Sequence, residues 1–188
     1  MDRLGVYVGV EAARRIEQEG WSPDLFDLLL GASGGAKWLI LGHLDRLLFG
    51  RFLQGGTRPL SVIGSSIGTW RHTCLALPDP CAAIDRFEQG YLQQHYTSKP
   101  SAEEISEVSR GILDRMLGGD GAAAVLAHPR IRTHIVTARG RGPASSSSSA
   151  LLAASLGTAA LGNMVSRRWL PRQFQRVVFH SDAQPRPQ

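Results

Sequence analysis

Cysteine is scarce: Cys74 and Cys81 are the only two in 188 residues, which excludes a disulfide scaffold, and their spacing matches no common metal motif. Both read as reduced core thiols of a cytosol-like compartment. Lysine is nearly missing, since Lys37 and Lys99 are the only two among 21 basic residues and arginine supplies the rest. No apolar run reaches the roughly 20 residues that span a bilayer. The longest, Ala150 to Val165, is interrupted by Ser155, Thr158 and Asn163. The opening Met1–Val6 lacks a signal-peptide pattern, because polar residues arrive before any long apolar core. No basic stripe is interleaved with aromatics, so no nucleic acid is expected as a partner. No cluster of His, Cys, Asp and Glu has metal-ligand spacing, and neither a metal nor an organic cofactor is called for.

What is present describes an ordinary soluble domain. Hydrophobic residues make up 43% and charged residues 20%, and the length suits one domain over residues 1–188 with a real core. The net charge of +5 suits an anionic surface such as phospholipid head groups, and by itself would suit nucleic acid equally. The expected placement is cytoplasmic, with peripheral membrane contact.

Apolar spacing predicts helices over Val10–Glu19, Trp38–Phe49, Ile67–Leu77, Cys81–Tyr96, Ala102–Leu117 and Ala150–Arg167. A short alanine-rich helix is predicted to end at Ala127, and Ser101-Ala102-Glu103-Glu104 reads as a capping box. Short apolar runs predict strands over Leu25–Ala32, Leu60–Ile63, Ile131–Ala138 and Phe174–His180. Residues 140–149 form a low-complexity, Ser-rich loop, and the composition of residues 182–188 predicts a disordered tail. Alternating strands and helices imply an α/β fold of three layers, with a mostly parallel central sheet flanked by helices.

Two glycine-rich turns carry the chemistry. Gly31-Ala32-Ser33-Gly34-Gly35-Ala36-Lys37-Trp38 and Gly64-Ser65-Ser66-Ile67-Gly68 each follow a predicted strand and open a predicted helix. Both contain Gly-x-Ser-x-Gly, which makes Ser33 and Ser66 candidate nucleophiles. In a parallel sheet the two turns reach one crevice at the strand ends. The second fits a nucleophile elbow, with Gly64 and Gly68 relieving crowding around Ser66. The first fits an amide cradle, because Gly34, Gly35 and Ala36 let their N–H groups approach an oxyanion closely. Ser33 is better placed to shape the turn. The first turn is not a P-loop: Ala36 stands where glycine is needed, and Trp38 where Ser or Thr would hold magnesium. A nucleophile beside an oxyanion cradle points to acyl transfer, most simply ester hydrolysis.

These residues resemble the patatin-like phospholipase family. Gly34-Gly35-Ala36-Lys37 matches that family's oxyanion loop, with Ser33 and Trp38 departing from it, and Gly64-Ser65-Ser66-Ile67-Gly68 matches its elbow. The resemblance covers about residues 25 to 75. It implies Ser66 as the catalytic nucleophile, Gly34, Gly35 and Ala36 as oxyanion donors, and Lys37 as a positive residue beside them. It further implies a lipid ester substrate and a Ser-Asp dyad. The family's aspartate lies in an Asp-Gly-Gly/Ala sequence after a later strand. The one literal Asp-Gly-Ala, at Asp120, reads as a helix-linking turn, and Asp182 lacks the glycine. The expectation is therefore a patatin-like domain incomplete at its C-terminus, with the aspartate beyond this chain. Two alternatives stand beside it. One is an ordinary Ser-acid-His triad drawing on Asp114 or Asp120 with His134 or His180. The other is a non-catalytic lipid-binding or interaction module. The helix end at Arg167-Arg168-Trp169 reads either as a core helix with terminal cations or as a lipid contact.

Overall fold

Residues 7–146 and 148–181 are described by the computed structural model. Met1–Val6, Ser147 of the serine run, and residues 182–188 with Asp182 lie outside the described residues.

Four strands form one sheet in chain order: β1 (Leu28–Gly31), β2 (Leu60–Ser65), β3 (Ile131–Gly140) and β4 (Phe174–His180). β1, β2 and β3 run parallel, and β4 returns antiparallel along β3. The chain is thus α/β with a mostly parallel sheet. The β1–β2 crossover contains a 3₁₀ segment (Gly35–Leu41), α2 (Gly42–Leu47) and a π-helical turn (Leu48–Phe52). The β2–β3 crossover contains α3 (Ile67–Leu75), α4 (Pro80–Leu92), α5 (Ala102–Leu117) and α6 (Gly121–Leu126). A helix α1 (Val10–Glu19) precedes the sheet, and α7 (Ser149–Val165) and α8 (Leu170–Gln173) lie between β3 and β4.

Strand order in sequence, combined with right-handed crossovers, puts the joining helices on one side of the sheet. Burial agrees. Leu60 and Val62 of β2, with Ile131 and Thr133 of β3, are buried, whereas Leu28 and Leu30 of β1 are 47% and 75% exposed. Register aligns Leu30, Ile63, His134 and His180 across all four strands on that open face. The core is centred on Phe87 of α4. Trp38 stacks on it at 4.4 Å and Trp70 at 5.3 Å, between ring centroids. Such contacts add to the burial of large rings.

Element boundaries shift from the sequence reading where local chemistry intervenes. The first strand begins at Leu28, because Pro23–Leu25 forms a 3₁₀ turn. Asp24 ties that turn to the approach of β2, accepting from Thr57 N–H at 2.8 Å, Thr57 Oγ1 at 2.7 Å and Arg58 N–H at 3.0 Å. The helix expected over Trp38–Phe49 changes winding twice. Gly50 sits in its π turn, where an added Cβ would lie 2.2 Å from Cys81 Sγ, so α4 packs against the turn's backbone. Asp79 caps α4 through Ala82 N–H at 2.9 Å, with Pro80 as the first helical residue. At α5 the Glu104 carboxylate of the expected capping box takes a further partner. Ser101 Oγ accepts from Glu104 N–H at 3.1 Å, and the Glu104 carboxylate accepts from Thr97 N–H and Oγ1, both at 2.8 Å. Within the expected Ser-rich loop, Gly142–Ser145 forms a 3₁₀ turn.

Candidate active site

Ser66 occupies the turn between β2 and α3 at φ 53°, ψ −128°, and is the one non-glycine residue with positive φ among the described residues. That region is sparsely populated by L-residues and persists only where surrounding structure enforces it. Here the enforcement is steric. A Cβ on Gly64 would lie 2.4 Å from Thr69 Cα, and one on Gly68 would lie 2.2 Å from the Gly31 carbonyl oxygen. α3 can therefore pack against the ends of β1 and β2 only with glycine at 31, 64 and 68. The turn holds Ser66 at the N-terminus of α3, where unpaired amides and the helix dipole favour developing negative charge.

The first turn lies beside the second. Ser33 Oγ reaches Ser65 Oγ at 3.1 Å and donates to the Ser65 carbonyl at 3.3 Å. Ser33 thus shapes the pair of turns. Gly35 has φ 53° and begins the 3₁₀ segment, whose first turn closes with Lys37 N–H donating to the Gly34 carbonyl at 3.3 Å. The Gly35 and Ala36 amides precede that bond and have no acceptor within their own helix. Lys37 spends its amide on the turn, so only its side chain remains as a positive contribution beside the cradle. Trp38 anchors the segment, buried against Phe87.

Gly35 and Ser66 both line a cleft of about 180 Å³. Its remaining wall is mostly apolar: Trp70 from α3, Phe87 and Tyr91 from α4, and Ile112 from α5. Sequence reasoning missed these four. Their spacing is that of ordinary core positions, and only the packing of three helices brings them to one side of Ser66.

Behind the elbow lies a buried polar group. Asp45 of α2 is 1% exposed and takes a two-point ion pair from Arg71 of α3, Nε to Oδ2 at 2.6 Å and Nη2 to Oδ1 at 2.5 Å. This pair ties the first crossover to the helix that follows Ser66. His72 is buried beside it, and burial first, then the Arg71 charge, lowers its pKa to about 4. Cys74 is buried, and desolvation pushes its thiol up to about 12, which leaves it protonated and inert. Cys81 is a partly buried free thiol.

The other singled-out residues lie elsewhere. Asp120 stands between α5 and α6 at the start of α6, in a helix-linking turn. Asp114 is on α5. His134 and His180 pair across β3 and β4 on the open sheet face, with ring centroids 6.2 Å apart. Among the described residues no carboxylate or imidazole bonds the Ser66 hydroxyl, and no group of three or more His, Cys, Asp or Glu could hold a metal ion. Among them, too, no helix is long and apolar enough to cross a membrane. Comparisons with protein-family models, curated proteins and solved structures found no match to this chain.

Proposed function

We propose that this chain is a serine acyl hydrolase of patatin-like type acting on lipid esters. The observation that supports it most is the positive-φ serine, Ser66, on a strand-to-helix turn walled by glycines. Ser66 Oγ attacks the ester carbonyl carbon, and its proton passes to an aspartate outside the described residues. The Gly34, Gly35 and Ala36 amides, with Lys37 beside them, hold the tetrahedral oxyanion. The C–O bond then breaks, the alcohol leaves, and water releases the acyl group from Ser66. The apolar wall of Trp70, Phe87, Tyr91 and Ile112 suits an acyl chain. The same reading places a second helical layer over the open sheet face at Leu28 and Leu30, completing three layers in one domain.

A second reading, a non-catalytic lipid-binding module, is favoured by one observation: no base bonds Ser66 among the described residues. Fluorophosphonate labelling of the chain and of Ser66→Ala tests the hydrolase reading. Labelling lost in the variant means an activated serine and rules out the binding module. A folded chain that does not label is either the binding module or a hydrolase without its aspartate.

A further inference from the structure

Between Asp120 and Asp182 the sequence has eight arginines and no acidic residue. This stretch builds α6, β3, α7, α8 and β4. Among the described residues, no carboxylate pairs with Arg141, Arg167, Arg168, Arg172 or Arg176. Arg141, Arg167 and Arg176 line one open cavity of about 700 Å³, together with Asn163 and Gln175.

The helix that leads into this cluster is also unusual. α7 has no charged residue over its 17 positions, yet it is not a core helix. Among its described side chains only Ser155 and Ala159 are buried, with Leu152 and Gly162 half-buried on the same narrow stripe. That stripe packs on α8 and its flanking turns, where Gln173 Nε2 donates to Thr158 Oγ1 at 3.0 Å. The outer surface is apolar: Leu161 is 66%, Met164 83% and Val165 85% exposed. Trp169 marks the border, 53% exposed, with the Arg172 guanidinium 4.5 Å over its ring. An apolar surface ending in an exposed tryptophan and unpaired arginines is the arrangement of an interfacial membrane anchor.

We infer that the outer face of α7, with Arg167, Arg168 and the arginine-lined cavity, docks the protein on a bilayer containing anionic phospholipid. The apolar residues enter the acyl boundary while the guanidiniums take head-group phosphates. A nucleic acid would meet the charge but leave Leu161, Met164 and Val165 in water. A lipid surface offers both an apolar phase and a dense anionic layer. Docking does not need Ser66 chemistry, so this inference and the hydrolase reading fail separately.

The test is co-sedimentation of the full chain with phosphatidylcholine vesicles and with vesicles about one-third phosphatidylglycerol, at low and high salt. Binding to the anionic vesicles should be at least about tenfold tighter and should weaken with salt. Arg167→Glu with Arg168→Glu should reduce it at least about tenfold, and Leu161→Asp with Met164→Asp should abolish it. These four side chains are exposed, and circular dichroism checks that each variant stays folded. Ser66→Ala should bind like the parent chain. Equal binding to both vesicles, or none, overturns the inference. So does polynucleotide binding without vesicle binding, or a self-association that Leu161→Asp dissolves and vesicles do not compete with.

Discussion

The backbones of Gly31 and Gly68 lie directly against each other. A Cβ on Gly68 would sit 2.2 Å from the Gly31 carbonyl oxygen, and one on Gly31 would sit 2.8 Å from that of Gly68. This contact brings the end of β1 to the start of α3, and so sets the two glycine-rich turns side by side.

Gly68→Ala should destabilise the protein by about 3 kcal/mol or more, because the clash is with backbone and neither strand nor helix can retreat cheaply. Gly111→Ala is the internal control. It sits inside α5 with nothing within 4 Å of an added Cβ, so it should gain up to about 1 kcal/mol from helix propensity. Urea unfolding of the two variants checks both signs.

Ser66→Gly should raise stability by about 1–2 kcal/mol, since glycine adopts positive φ without the steric cost that serine carries at 53°. The same variant cannot be labelled by a fluorophosphonate at this position. A melting temperature that falls rather than rises would mean that the turn stores no strain.

Asp45→Ala should cost about 3–5 kcal/mol, because it leaves the Arg71 guanidinium half-enclosed without its partner. The exposed pair Arg14–Glu11 offers the contrast, and Glu11→Ala should change stability by less than about 1 kcal/mol. Denaturant midpoints of the two variants measure the difference.

His72 carries a pH dependence of definite sign. Its pKa falls from 6.5 to about 4 on folding, so the unfolded chain binds the extra proton first. The stabilisation is complete above pH 6.5 and is lost as pH falls from there toward 4, by about 3 kcal/mol in all. His72→Gln should flatten the stability profile across this window.

The α/β class, the four strands and the two glycine turns were legible because each rests on local rules. Strands need short apolar runs, and Gly64 and Gly68 bracket a serine at a spacing that serves an elbow. α5 appeared over the predicted Ala102–Leu117 because its cap and apolar period agree. The segment after Lys37 did not appear as one helix, because Cys81, over thirty residues away, meets Gly50. The hold of Glu104 on Thr97 was not legible either, since that partner lies outside the helix. The reading of Ala150–Arg167 as either a core helix or a lipid contact turned on burial, and burial is not written in a composition of small and apolar residues.

The sequence by itself determined where the chain turns, which residue types stand at each turn, and that a serine and glycine-rich amides occur in the right order along alternating strands and helices. Only the tertiary structure decided that Ser66 takes a positive φ, that Trp70, Phe87, Tyr91 and Ile112 share its cleft, and that α7 keeps Met164 and Val165 in water. The reason is the range of the forces. Turn and helix preferences act within a few residues, whereas strain, cleft shape and exposure are set by contacts between segments far apart in the chain.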